Sequence, residues 1–244
     1  MKKKFLSFGC ILPLLSTRNE MYLHLQNLLD PDQLAQIAQA LDQAPFSDGR
    51  VTAGGVAREV KNNTQLPREH QSSLQIGGVL EQSLQKSFEF REGTLPRAVL
   101  PFLVSCYEEG MEYGWHVDSP LMYAAPVQLR ADLSMTVFLN DPSDYEGGEL
   151  EIMGETGPQL FKLPAGHAII YPTTRLHRVR KIEKGKRVVA VTWIQSMVRD
   201  TQERELLFGM RHLQELLQQQ RPGSQEHLIS QQLHSNLLRK WAEQ

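Results

Sequence analysis

Residues 95–200 form a succession of short β-type segments with no helical segment between them. The segments are rich in Val, Ile, Leu, Thr and aromatic residues, and Gly, Pro, Asn and Asp separate them; they cover residues 99–107, 129–139, 148–153, 167–171 and 187–194. Consecutive strands joined by turns rather than by helices pair in an antiparallel way. The pattern therefore predicts an antiparallel sandwich or barrel and argues against a parallel α/β sheet.

Helical patterns lie on both sides of this β region. Asp30 and Pro31 open the first helix as N-cap and first helical residue, and residues 71–87 form a second amphipathic segment. After residue 201 the apolar residues again recur at helical spacing, until Pro222 and Gly223 interrupt the pattern, and a last helix is predicted over residues 226–241. The order of helices, β core and helical tail indicates the α+β class.

The composition excludes several classes of protein. A chain of 244 residues can bury one large core. The net charge of -2 gives no electrostatic footprint for nucleic acid, and no apolar run approaches the ~20 residues that span a bilayer. Two cysteines suggest no disulfide framework. We therefore expect a cytoplasmic protein without a nucleic-acid or membrane partner.

Residues 1–20 resemble a signal peptide only weakly. Three lysines precede an apolar stretch over residues 5–15, but Pro13 interrupts this stretch and no small-residue cleavage site follows it. We interpret residues 1–20 as an extension ahead of a natural start at Met21, and we expect it to be dispensable. A genuine export signal is the alternative.

Two histidines and one aspartate have the spacing of a metal site. His116 and Asp118 are two positions apart, so on a strand their side chains project to the same face. His177 follows 59 residues later, and His167 is the competing third ligand. Two imidazoles and one carboxylate form the 2-His-1-carboxylate triad of non-haem Fe(II) oxygenases. The remaining histidines are predicted to lie on the surface: His24, His70, His212, His227 and His234.

Arg187 follows His177 by ten residues and belongs to an otherwise apolar strand face with Val189, Val191 and Trp193. An arginine in such a position requires an anionic partner. The ordered set of H-x-D, a later His and then Arg is more specific than any of its parts, and it indicates an oxygenase with a carboxylate-bearing cosubstrate.

Most of the chain from residue 21 onward resembles the bacterial PKHD-type hydroxylases, which are Fe(II)- and 2-oxoglutarate-dependent dioxygenases related to prolyl 4-hydroxylase. The matching segments are 48–54 (DGRVTAG), 60–63 (VKNN), 116–118 (HVD), 130–134 (RADLS), 145–150 (YEGGEL), 163–166 (LPAG), 176–179 (LHRV) and 193–200 (WIQSMVRD).

The resemblance implies a double-stranded β-helix, a jelly-roll or cupin-like core, with N-terminal helices packed on one face and a C-terminal helical extension. It implies Fe(II) held by His116, Asp118 and His177, 2-oxoglutarate held by Arg187, and L-ascorbate as the reductant of the iron. Tyr107 is expected to add a hydroxyl to the distal carboxylate of 2-oxoglutarate, with an ordinary core tyrosine as the alternative. The chain is then expected to consist of an extension over 1–20, a dioxygenase domain over 21–200 with its β core at about 95–200, and a helical extension over 201–244.

Several questions stay open from the sequence. A non-catalytic iron-binding or iron-sensing module, or a cupin-like binder of a small ligand, would also contain the triad. Arg130 fits either the mouth of the site or an internal ion pair with Asp132, and residues 61–63 fit either a substrate-facing loop or a capped turn. The substrate beside O₂ is a peptidyl residue or a small molecule linked to iron uptake. The tail helices would suit either docking on the core or a contact in a homo-oligomer.

Overall fold

The computed structural model describes residues 22–42, 44–124 and 126–243, so the interpretation of residues 1–20 lies outside the described residues. No helix in these ranges is long and apolar enough to cross a bilayer. The helices are α1 (Pro31–Leu41), α2 (Gly55–Glu59), α3 (Gln71–Lys86), α4 (Phe88–Thr94), α5 (Thr201–Gln220) and α6 (Gln225–Trp241), with short 3₁₀ turns at Gly49–Thr52 and Pro142–Asp144.

The strands form two main antiparallel sheets and one separate hairpin. The larger sheet has the order β1-β14-β10-β16-β6-β4-β2, and β5 and β11 also pair with β16. Its strands are β1 (Leu23–Leu25), β2 (Ser47–Asp48), β4 (Thr64–Gln65), β5 (Pro96–Val99), β6 (Leu103–Glu108), β10 (Leu133–Phe138), β11 (Tyr145–Gly147), β14 (Ala168–Pro172) and β16 (Ile182–Ser196).

The smaller sheet has the order β13-β12-β15-β7-β3, and β8 and β9 form the hairpin. The strands are β3 (Lys61–Asn62), β7 (Glu112–His116), β12 (Leu150–Gly154), β13 (Gly157–Phe161) and β15 (His177–Val179), followed by β8 (Leu121–Ala124) and β9 (Val127–Arg130).

The two sheets pack face to face around a shared apolar interior. Tyr107, Phe138 and Val189 of the larger sheet belong to the same buried cluster as Ile152 and Val179 of the smaller sheet. Antiparallel sheets that enclose a core in this way are typical of jelly-roll folds. The predicted double-stranded β-helix is therefore confirmed.

Helices α1 and α3 cover the outer face of the larger sheet. Ile37 of α1 and Leu80 of α3 share a buried cluster with Leu133, Met135 and Val137 of β10. Asp30 begins α1 as predicted, because its side chain accepts a hydrogen bond from the N–H of Gln33 in a capping box. The predicted packing of N-terminal helices on one face is confirmed.

The C-terminal helices pair with each other, and both contribute to an apolar cluster at the edge of the β core. Leu207 of α5 packs with Leu95 and Val198, and Leu237 and Trp241 of α6 border the same cluster. The prediction that His227 and His234 lie on the surface was wrong, since both are buried. Both lie on the side of α6 that the rest of the protein covers. The spacing of polar residues in the sequence does not indicate which side of the helix this is.

Gly185 allows β16 to pass close to the turn at residues 142–144. Its φ is +81°, and a Cβ atom there would overlap the backbone oxygen of Asp144. We expect Gly185→Ala to lower the free energy of unfolding by about 1–3 kcal/mol, measured by urea denaturation. Gly209→Ala in α5, where a Cβ atom meets nothing within 4 Å, is the control and is expected to be neutral or stabilising. Equal stability of wild type and Gly185→Ala would contradict this account.

Candidate metal centre and cosubstrate pocket

The two histidines face each other across neighbouring strands. His116 is the last residue of β7 and His177 is the first residue of β15, and they are paired in register. Their ring centroids are 4.3 Å apart. Tyr113 stacks on the His116 ring at 3.6 Å, and Tyr171 contacts the His177 ring edge-on at 5.2 Å. Strand register thus brings together two side chains that are 61 residues apart in the sequence.

Asp118 completes the cluster from a loop. It lies beyond the end of β7, so the expectation that His116 and Asp118 share a strand face was wrong in detail. Its Oδ2 nevertheless lies 3.7 Å from Nε2 of His177. One ligand atom from each of His116, Asp118 and His177 lies within 4.8 Å of the other two, which is close enough for all three to hold one metal ion.

Backbone carbonyl groups set the orientation of both imidazoles. Nδ1 of His116 lies 2.8 Å from the oxygen of Gly114, and Nδ1 of His177 lies 2.9 Å from the oxygen of Arg175. A carbonyl oxygen only accepts hydrogen bonds, so Nδ1 must donate and the lone pair of Nε2 is left free for a metal. Burial is the main cause that lowers the pKa of His116 to about 4, so its ring is neutral at physiological pH.

Ser134 holds the carboxylate of Asp118 from the opposite sheet. The hydroxyl of Ser134 on β10 donates to Oδ2 of Asp118 at 2.6 Å. The sequence does not predict this contact, because Ser134 and Thr136 alternate along β10 with the apolar residues that face the helices and so resemble solvent-facing positions. Both are buried, since helices cover one face of β10 and the smaller sheet covers the other. A polar residue on a strand with two buried faces was the available signal.

Arg187 lies in the interior of the jelly roll. It is 1% exposed, and its guanidinium carbon lies 5.3 Å from the ring of Tyr107 and 5.5 Å from that of Phe138. Among the described residues, no carboxylate forms an ion pair with Arg187, and its Nε and Nη1 have no hydrogen-bond partner. Buried polar groups are rarely left unpaired, and a buried charge less often still. The geometry therefore suits a bound anion beside Arg187, as the sequence analysis expected.

Tyr107 is the direct cross-strand neighbour of Arg187, with β6 paired to β16 at these residues. Burial raises the pKa of Tyr107, so its hydroxyl stays protonated and can donate a hydrogen bond. Tyr145 was not singled out from the sequence. Burial also raises the pKa of Tyr145, and Arg187 is close enough to oppose that effect. The hydroxyl of Tyr145 is buried, and Arg187 is near enough to interact with it. Two tyrosine hydroxyl groups thus lie near the guanidinium of Arg187.

One cavity of about 510 Å³ joins the metal cluster to Arg187. Its wall includes His116, Asp118 and His177 together with Tyr107 and Arg187. Nitrogen and carboxylate ligands suit Fe(II), and an unpaired guanidinium suits a dicarboxylate that reaches the metal with its other end. The residues present therefore fit Fe(II) and 2-oxoglutarate.

The structure also decides two alternatives that the sequence left open. Arg130 forms an internal ion pair with Asp132 at 2.7 Å and contacts Glu243 at 2.8 Å, and it does not line the cavity. Lys61 lines the cavity, whereas Asn63 is buried and is not part of the cavity wall. Residues 61–63 thus reach the cavity through Lys61.

Comparisons with known proteins agree with this geometry. The family model of the 2OG-Fe(II) oxygenase superfamily matches residues 102–195. A PKHD-type hydroxylase of Synechococcus is 40% identical over 223 residues, which cover 91% of this chain and 100% of that relative. A PKHD-type hydroxylase of Pseudomonas putida is 42% identical over 225 residues, with the same two coverages.

Solved structures show the same fold at lower identity. A prolyl hydroxylase of Trichoplax adhaerens, in complex with a peptide fragment of the hypoxia inducible factor oxygen degradation domain, has a TM-score of 0.57 at 16% identity. The alignment covers 81% of this chain and 91% of that one. A prolyl-4-hydroxylase of Pseudomonas putida has a TM-score of 0.52 at 16% identity, covering 77% of this chain and 98% of that one.

The degree of identity over nearly the whole length of these relatives is sufficient to assign the family, and the His-Asp-His cluster is its metal site. This chain belongs to the PKHD-type hydroxylases and is a 2-oxoglutarate-dependent non-haem iron dioxygenase.

Proposed function

We propose that the enzyme hydroxylates a C–H bond of its substrate with Fe(II) held by His116, Asp118 and His177 and with 2-oxoglutarate held by Arg187 and Tyr107. The observation that carries this proposal is the buried guanidinium of Arg187 in the same cavity as the three metal ligands, with Nε and Nη1 unpaired among the described residues. An iron sensor needs no such cation at that depth, and a cupin-like binder of a small ligand needs no cluster of three metal ligands beside it.

Three of these side chains are proposed to bind the metal, and the others to bind the cosubstrate. Nε2 of His116 and His177 and the carboxylate of Asp118 would hold the ion, and with three protein ligands the metal could still bind cosubstrate and O₂. The bound metal, with 2-oxoglutarate and O₂, supplies the oxidising power that inserts one oxygen atom into a C–H bond while succinate and CO₂ form.

The cosubstrate end of the cavity is built for a dicarboxylate. Arg187 offers a planar pair of N–H donors to the distal carboxylate, and the protonated hydroxyl of Tyr107 adds a third donor. Leu150, Val179 and Val189 line the cavity with apolar groups that keep water away from the reacting atoms.

The proposal also names the reductant, the location and the domain division of the enzyme. We propose L-ascorbate as the reductant that maintains Fe(II), a cytoplasmic location, and a dioxygenase domain over 21–200 with the helical extension after it.

The substrate is a peptidyl residue or a small molecule linked to iron uptake. Prolyl hydroxylases share the fold, one of them in complex with a peptide, which supports the peptidyl class. The exposed apolar side chains of α5 and α6, Leu213 and Leu233 among them, are compatible with a homo-oligomer.

The first test measures succinate. Purified protein mixed with Fe(II), 2-oxoglutarate, O₂ and a bacterial cell extract should form succinate beyond the amount formed without extract. Asp118→Ala should abolish this extra formation of succinate. It should also weaken Fe(II) binding by more than ~100-fold, since the loss of even an outer contact to a metal ligand lowers metal affinity by 10–100-fold. Asp32→Ala on the exposed surface of α1 is the control. Full turnover by Asp118→Ala would refute the ligand assignment.

The second test removes the support of Asp118. Ser134→Ala should weaken Fe(II) binding by about 10–100-fold, because the carboxylate loses the donor that orients it. Ser134→Thr keeps a hydroxyl and should recover part of the loss. The measurement is competition with a metal chelator under anaerobic conditions. Ser83→Ala, which removes a buried hydroxyl from α3, is the control. Unchanged iron affinity in Ser134→Ala would mean that Asp118 is oriented by other groups.

The third test addresses the carboxylate clamp. Arg187→Ala leaves a buried carboxylate unpaired, a loss of about 3–5 kcal/mol, so the Kd for 2-oxoglutarate should rise by roughly two to three orders of magnitude. Arg187→Lys should recover only part, because an ammonium lacks the planar fork. Isothermal titration calorimetry measures this, and Fe(II) affinity should change little. Equal 2-oxoglutarate binding by wild type and Arg187→Ala would favour the iron-sensing module.

A further inference from the structure

Lys61 is a buried cation of the cavity wall that belongs neither to the three metal ligands nor to the residues proposed above for 2-oxoglutarate. It is 6% exposed and lines the cavity. Its Nζ donates to Oγ1 of Thr52 at 2.9 Å, and in the orientation that satisfies the amide of Gln65 it also donates to that oxygen at 3.1 Å. An ammonium has three N–H donors, so one of them has no acceptor among the described residues.

Neutral partners do not balance the charge of Lys61. Its Nζ lies 5.2 Å from the ring centroid of Tyr113, which is a weak attraction. In the described part of the chain no carboxylate forms an ion pair with Lys61; Asp48, which acts on it from a distance, is itself paired with Arg50 at 2.8 Å. Burial lowers the pKa of Lys61 to about 8, so it still carries its charge at neutral pH.

Lys61 lies beside the metal ligands, at a part of the cavity wall that reaches solvent. It belongs to the smaller sheet and is paired with Tyr113 on β7, and Tyr113 stacks on the ring of His116. Thr52, which accepts a hydrogen bond from Lys61, lines the cavity together with the exposed Val56. A substrate that enters from solvent would therefore pass Lys61 on its way to the metal.

The balance of charge in the loaded cavity leaves this part of the wall positive. Asp118 is the carboxylate of the cavity wall, and Arg68 is a further cation of that wall. With Fe(II) and 2-oxoglutarate bound, the charges of the metal and of Arg187 are offset by Asp118 and the two cosubstrate carboxylates. Lys61 remains without an ion-pair partner among the described residues, whereas Glu69 lies close enough to Arg68 to act on its charge. An uncompensated buried cation in a binding cavity indicates an anionic ligand.

We infer that the substrate carries an anionic group, a carboxylate or a phosphate, which binds Lys61 with Arg68 nearby while the C–H bond to be hydroxylated faces the metal. This inference rests on the proposed function for the identity of the other ligands in the cavity. It names Lys61 as the residue that selects substrates by charge.

Calorimetry with simple anions tests the site directly. Protein loaded with Fe(II) and saturating 2-oxoglutarate, without O₂, is titrated separately with inorganic phosphate and with acetate. At least one anion should bind wild type, and Lys61→Gln should weaken it about tenfold or more. Lys61→Arg should retain binding. Lys86→Gln, which removes the same charge from an exposed position of α3, should match wild type. The tighter of the two anions identifies the phosphate or carboxylate class.

Two results would overturn the inference: neither anion binds wild type, or Lys61→Gln binds as well as wild type. Unchanged 2-oxoglutarate affinity in Lys61→Gln should show that the variant is folded and that Lys61 lies outside the cosubstrate site. A large loss of 2-oxoglutarate affinity would place Lys61 in that site instead and refute a substrate role.

A second measurement uses the succinate assay. The cell extract is passed over an anion-exchange resin near neutral pH, and the stimulating component should be retained and should require a higher concentration with Lys61→Gln than with Lys86→Gln. Stimulation confined to the unretained fraction would refute an anionic substrate. If no fraction yields succinate, the proposed function fails, whereas the titration with phosphate and acetate still reports on Lys61.

Discussion

The pairing of β7 with β15 is the constraint on which the metal centre depends. It sets His116 directly opposite His177, and the two carbonyl groups that accept from the Nδ1 atoms turn both Nε2 atoms to the same point. Asp118 reaches that point from a loop, so its position depends on a further contact. Ser134 provides this contact from the larger sheet, and the two sheets of the jelly roll are thereby joined at the metal ligands. A change in strand register by one residue would turn a histidine away from the site.

The wall of the cavity combines the metal ligands with cations. Arg187 lies between aromatic rings in the interior, and Lys61 and Arg68 line the same cavity. A buried cation destabilises the protein unless an anion accompanies it. We propose that 2-oxoglutarate is this anion for Arg187 and, by our inference, that the substrate supplies it for Lys61. Selection of ligands by charge follows from burial, because the same groups exposed to water would discriminate little.

Some features were predictable because they depend on local patterns. The cap of α1 at Asp30 and the succession of strands without helices follow from residue types over short ranges, and the structure confirms them. Others were missed because they depend on what covers each surface. Ser134 occupies a polar position of an alternating strand, which indicates a solvent-facing side only if that side is left uncovered. His234 is buried for a related reason, since the rest of the protein covers its side of α6.

The sequence by itself determined which chemistry is available: two imidazoles and a carboxylate that can bind iron, an arginine that can pair with a carboxylate, and β segments that must pair antiparallel. Residue identity alone carries these properties, so they survive in any arrangement that brings the groups together. Only the tertiary structure decided which groups do come together. It placed Asp118 off the strand, gave it Ser134 as a partner, paired Arg130 with Asp132, and buried Lys61 without a counter-charge. Burial and partnership depend on contacts between distant segments, and no local pattern encodes them.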